Sequence, residues 1–89
     1  MRDEVRRFIV SSLAEMNYDV TALDDATTLG PAGLDLESLA LADLLMRAEE
    51  RYSITFTEAE CKELSLMNVG DLTEAVVDRI GQTAGSRQS

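Results

Sequence analysis

The chain has no histidine and no tryptophan, and only one cysteine and one proline among its 89 residues. Each of these shortages removes a class of chemistry. Without histidine there is no Ser/His/Asp or Cys/His arrangement for nucleophilic catalysis. With Cys61 alone there is neither a zinc cluster nor an intrachain disulfide, and an unpaired thiol suits a reducing interior. The chain is therefore expected to be non-catalytic and without a metal site of its own. Aromatic residues make up 4%, so a core must be assembled from Leu, Val, Ile, Ala and Met. Segments rich in Leu and Ala favour helices over strands. Long apolar runs are missing as well, and the first residues are charged and amphipathic rather than signal-like. These features predict a cytoplasmic protein that does not enter a membrane.

Basic residues are scarce where they would matter most. Lys and Arg total 8 against 17 Asp and Glu, a formal charge of −9. Up to Tyr18, Asp3, Glu4 and Glu15 are balanced by Arg2, Arg6 and Arg7. From Asp19 to Glu60, ten acids face only Arg47 and Arg51. Almost all of the negative field thus lies in the middle of the chain. Such a field repels nucleic-acid phosphates and anionic lipid surfaces. It favours a partner with a basic surface, because complementary charge speeds and orients encounter.

What is present reads as one small domain, an all-α four-helix bundle over residues 1–81 with a disordered tail over 82–89. Val5, Phe8, Ile9, Leu13 and Met16 form one apolar face of a first helix from Asp3 to Met16. From Asn17 to Asp35 the apolar residues lose any period among Asp, Thr, Gly and Pro. Tyr18, Val20, Leu23, Leu29 and Leu34 are scattered through this stretch, which is longer than a structureless loop in a small domain usually is. A second helix begins at Leu36 or Ser38 and runs to Tyr52. At about 3.6 residues per turn, Leu41, Leu44, Leu45, Ala48 and Tyr52 share its inner stripe. Ile54 or Phe56 is expected to enter the core after it. Thr57 and Glu60 have capping-box spacing and open a short third helix ending near Leu64 or Leu66. Cys61, within that helix, reads as a structural thiol that is buried or half-buried. Asn68 caps a fourth helix whose inner face is Val69, Leu72, Ala75, Val76 and Ile80, with Gly81 as its stop.

Function concentrates in Gly33-Leu34-Asp35-Leu36-Glu37-Ser38-Leu39. A serine there stands at the mouth of the second helix, where the bland assignment is an N-cap. Leu39 and Met46 point away from the inner stripe, with Ala42, Asp43 and Glu50 beside or between them. Two large apolar side chains on a polar face are either incidental surface or a docking patch. Asp43 is claimed twice, since it also stands four residues before Arg47 and can pair along the helix.

The run Leu34-Asp35-Leu36-Glu37-Ser38-Leu39, followed by an amphipathic helix carrying Asp43, Glu49 and Glu50, resembles the modification site of acyl and peptidyl carrier proteins. The order of elements is also similar to that family: long helix, long loop, modified helix, short helix, closing helix. The resemblance implies that Asn17 to Asp35 is the long loop between helices 1 and 2, with its scattered leucines pinning it to the bundle. The resemblance implies that Ser38 carries a covalent 4′-phosphopantetheine arm, installed from coenzyme A by a separate phosphopantetheinyl transferase. It further implies that Glu37, Leu39, Ala42, Asp43, Met46 and Glu50 meet partner enzymes that load or use the cargo. The carrier itself is expected to be a monomer. Glu37 stands where that family usually has Asp, and Ala40 where fatty-acid carriers commonly have an acid. The second departure favours a discrete carrier of polyketide or nonribosomal peptide synthesis. The competing class is an acidic helical interaction module with no prosthetic group, in which Ser38 is only a cap.

Overall fold

The computed structural model describes residues 2–31 and 33–88, with side chains through residue 82. Four helices follow one another: α1 Arg2–Glu15, α2 Ser38–Tyr52, α3 Glu58–Leu64 and α4 Val69–Gln88. α1 packs against α4 and α2, and α2 also packs against α3. The small all-α, four-helix fold expected of the sequence is the one observed, and no strand occurs among the described residues.

Each helix boundary has a local cause. α1 ends in a left-handed Asn17 (φ 70°). Tyr18 N–H donates to Leu13 O (2.9 Å) and Asn17 N–H to Ala14 O (3.0 Å), the paired bonds of a Schellman turn. α2 ends in a left-handed Ser53 (φ 57°), whose N–H donates to Glu49 O. The reversal sends Ile54 into the core, where it is buried, while Phe56 stays half-buried. α3 opens on the full capping box: Glu60 N–H donates to Thr57 Oγ1 (3.2 Å) and Thr57 N–H to Glu60 Oε1 (2.9 Å). At α4, Asn68 Oδ1 accepts from Asp71 N–H at 2.8 Å, the cap its sequence position predicts.

The core is aliphatic. Val5, Ile9 and Leu13 of α1 meet Leu41, Leu44 and Leu45 of α2 and Val69, Leu72 and Val76 of α4. Leu29 from the long loop, Ile54 and Leu64 complete it. Tyr52 falls at the edge of the α2 stripe rather than fully inside. It packs edge-on against Phe8 (5.5 Å between ring centroids), and its hydroxyl is buried without a partner among the described residues. One stop differs from expectation. No glycine among the described residues has positive φ, so Gly81 does not terminate α4, and the backbone continues as helix to Gln88. Nothing among the described residues lies within 4 Å of a Cβ added at Gly81. Ser89 lies outside the described residues.

The long loop is not structureless. Leu29 N–H donates to Met67 O (3.0 Å), and Val69 N–H to Thr27 O (2.9 Å). Gly70 N–H donates to Asp25 O (2.9 Å). These bonds stitch the loop across the α3–α4 junction, with an isolated antiparallel bridge between Thr28 and Asn68. Gly70 allows the approach, since a Cβ there would stand 3.0 Å from that of Asp25. Asp25 also accepts from Arg6 (2.8 Å) and Arg2 (3.1 Å), which ties the loop back to α1.

Candidate functional site

The loop delivers the chain to α2 along a defined path. Leu34 N–H donates to Thr28 O (2.8 Å), Asp35 N–H to Gly30 O (2.8 Å) and Leu36 N–H to Leu29 O (2.9 Å). Gly33 sits so close to Thr28 that a Cβ would lie 2.1 Å from its carbonyl oxygen, so no side chain is possible there. Asp35 then takes a left-handed conformation (φ 54°), which Asp adopts more readily than most residues. Leu34 and Leu36 are half-buried and pack on the core, holding both ends of the Asp35 turn. Ser38 is thus presented by an anchored segment.

Its position corrects the bland assignment. Glu37, not Ser38, is the N-cap, with extended backbone (φ −76°, ψ 162°) and no capping bond from its side chain. Its carbonyl closes the first turn by accepting from Leu41 N–H (2.9 Å). Ser38 is the first helical residue and is exposed. The hydroxyl has no partner among the described residues and no capping duty. Asp35 lends no side-chain bond to the turn; its contribution is its backbone conformation.

The outward face of α2 has the phase read from the sequence. Leu39 is 82% exposed and Met46 55%, and Glu37, Ala42, Asp43 and Glu50 are exposed with them. Arg47 donates to Glu15 of α1 at 2.8 Å and lies only 3.6 Å from Asp43, so Asp43 keeps a loosely paired carboxylate toward solvent. Glu50 stands apart from the serine. Twelve residues along a helix are about 18 Å, and Glu50 lines a separate groove of about 310 Å³ between α1 and α2, with Phe8, Ser12 and Arg51.

A second groove, of about 380 Å³, runs beside Ser38 between α2 and α3. Ser38, Leu39, Leu41 and Ala42 form one wall, and Glu58, Cys61, Lys62 and Ser65 the other. Sequence reasoning places none of the α3 residues near Ser38, because no periodicity within α3 reports which helix it faces. Cys61 is half-buried, as its reading as a structural thiol requires. Burial, reinforced by Glu49 and Glu58, pushes its pKa up and leaves little thiolate at neutral pH. Leu66, 87% exposed just past α3, is a further outward apolar side chain that the sequence offers only as a helix end.

The exposed Ser38 hydroxyl, without a partner among the described residues, thus borders a part-apolar groove that Lys62 also lines. Comparison of the chain with protein-family profiles, with curated proteins and with solved structures gives no match.

Proposed function

We infer that this protein is a discrete carrier, holding an acyl or aminoacyl/peptidyl intermediate as a thioester on a 4′-phosphopantetheine arm attached to Ser38, in polyketide or nonribosomal peptide synthesis. The observation that carries the reading is the state of Ser38. It is exposed at the first position of α2, on a segment pinned by three backbone bonds, while Glu37 occupies the cap. A serine that stabilises nothing locally is free to be a substrate. Attachment joins Ser38 Oγ to the β-phosphorus of coenzyme A and breaks the pyrophosphate bridge, releasing adenosine 3′,5′-bisphosphate; the hydroxyl proton passes to a base of the transferase. The arm supplies the thiol on which the cargo rides. The chain's own part is orientation and recognition, since tethering raises the local concentration of cargo at each docked enzyme.

Recognition falls to the outward face of α2. Leu39 and Met46 provide apolar anchors, and Glu37, Asp43 and the wider acidic field draw basic partners, the transferase first and then loading and synthase enzymes. The test is intact-protein mass spectrometry after incubation with coenzyme A and a permissive transferase. One phosphopantetheine should be added at Ser38, and Ser38→Ala should abolish the addition. A wild type left unmodified by several transferases would sink the carrier reading and leave an acidic interaction module, whose binding surface is the same face.

A further inference from the structure

The groove beside Ser38 is lined both by that serine and by the only lysine in the chain, Lys62 of α3. Among the described residues Lys62 makes no ion pair, although Glu58 stands at i,i+4 spacing before it on the same wall. Arg2, Arg6, Arg47 and Arg79 each hold a carboxylate, and Arg7 and Arg51, which make no ion pair among the described residues, do not line this groove. An unpaired ammonium in so acidic a protein is open to an anion that enters its groove.

We propose that Lys62 receives the phosphodiester formed on Ser38, so that α3 anchors the near end of the arm along the α2–α3 groove. The assignment rests on the carrier reading and deepens it, by giving a role to a residue outside the attachment segment. A phosphodiester at Ser38 adds a negative charge where Asp35, Glu37 and Asp43 already stand. The nearest base along α2 is Arg47, which Glu15 and Asp43 already engage. Lys62 is therefore the cation that the fold brings to that charge, and it acts as a point charge on a flexible stem, the ordinary form of a phosphate-binding lysine. Leu39, Leu41 and Ala42 offer the aliphatic part of the arm an apolar wall, and about 380 Å³ is within the usual range of small-ligand sites. The other titratable groups on the groove are Glu58 and Cys61, and neither supplies positive charge.

A single lysine makes the test direct, because its ε-ammonium gives one resonance in lysine-labelled protein. Loading the full chain with phosphopantetheine should move that resonance at low salt. It should move back toward the unloaded position in 1 M salt, where screening acts over about 3 Å. In parallel, the ³¹P line of the loaded protein should shift in Lys62→Gln and stay near the wild-type position in Lys62→Arg, with circular dichroism confirming that each variant folds. A lysine resonance unmoved by loading, or coincident ³¹P lines in wild type and Lys62→Gln, overturns the role of Lys62. Intact mass reports attachment independently, so either result leaves the carrier reading standing. A wild type that gains no mass overturns both.

Discussion

Ser38 is the residue at which structure and chemistry separate most cleanly. Because Glu37 is the cap, removing the Ser38 hydroxyl forfeits no capping bond. Ser38→Ala should therefore change stability by less than the ~1 kcal/mol typical of a lost cap, while abolishing modification. Urea melts and intact mass, taken on one sample, check both halves. Leu44 gives the opposite pattern. It is 1% exposed in the centre of the α2 stripe, and Leu44→Ala should cost ~2–5 kcal/mol. Were Leu44→Ala harmless and Ser38→Ala unfolding, the phase of α2 would be wrong. Tyr52 is a third case, since its hydroxyl is buried without a partner and burial, then Glu4, raises its pKa. Tyr52→Phe keeps the ring against Phe8 and removes the stranded polar atom. It should be neutral or stabilising by up to ~1 kcal/mol, read as an unchanged or higher urea midpoint.

At the scale of the element, α2 carries two faces with different duties. The inner stripe of Leu41, Leu44, Leu45 and Ala48 holds the bundle, and the outer face, with Leu39 and Met46, is exposed. Leu39→Ala and Met46→Ala should leave the melting temperature almost unchanged, because neither side chain is in the core. Both should shorten the lifetime of complexes with the transferase or a synthase domain, seen as a faster off-rate. Asp43→Ala should act instead on the on-rate, and chiefly at low salt, since exposed charges are screened over about 8 Å at physiological ionic strength. Stopped-flow binding of the loaded protein separates these effects. A fall in melting temperature with unchanged kinetics would place Leu39 and Met46 in the fold and move docking elsewhere.

For the molecule as a whole, charge adds to the backbone bonds that hold the long loop, by tying it to α1. Asp25 joins it to α1 through Arg6 and Arg2, and those two guanidiniums, Arg6 first, hold its carboxyl below the usual carboxylate range. A folded-state pKa that is depressed contributes stability above the unfolded-state value and loses it as the pH falls through the folded-state value. Asp25→Asn should therefore be less stable than wild type at neutral pH and low salt. The two stability curves should converge under acid, once the wild-type carboxyl is protonated. Urea melts across that range decide it, and curves that already coincide at neutral pH would show that Asp25 acts through its backbone carbonyl alone, which Asn retains. The effect should be modest, because these groups are exposed to solvent.

Much of this architecture is legible residue by residue. The α2 stripe, the Thr57–Glu60 capping box and the Asn68 cap follow from helical period and from which backbone groups a nearby side chain can reach. Those are short-range facts, and they settle within a turn or two of each residue. Three other features belong to the tertiary structure. Glu37 becomes the cap because the carbonyls of Thr28, Leu29 and Gly30 hold Leu34, Leu36 and Asp35 and so set where helical geometry begins. Gly81 stays helical because a glycine permits a left-handed stop without requiring one. Lys62 and Cys61 reach the groove beside Ser38 because α3 is laid against α2. Period within one helix fixes which of its faces is apolar; it carries no information about which neighbour that face will meet, and only the packing of the loop and the helices decides that.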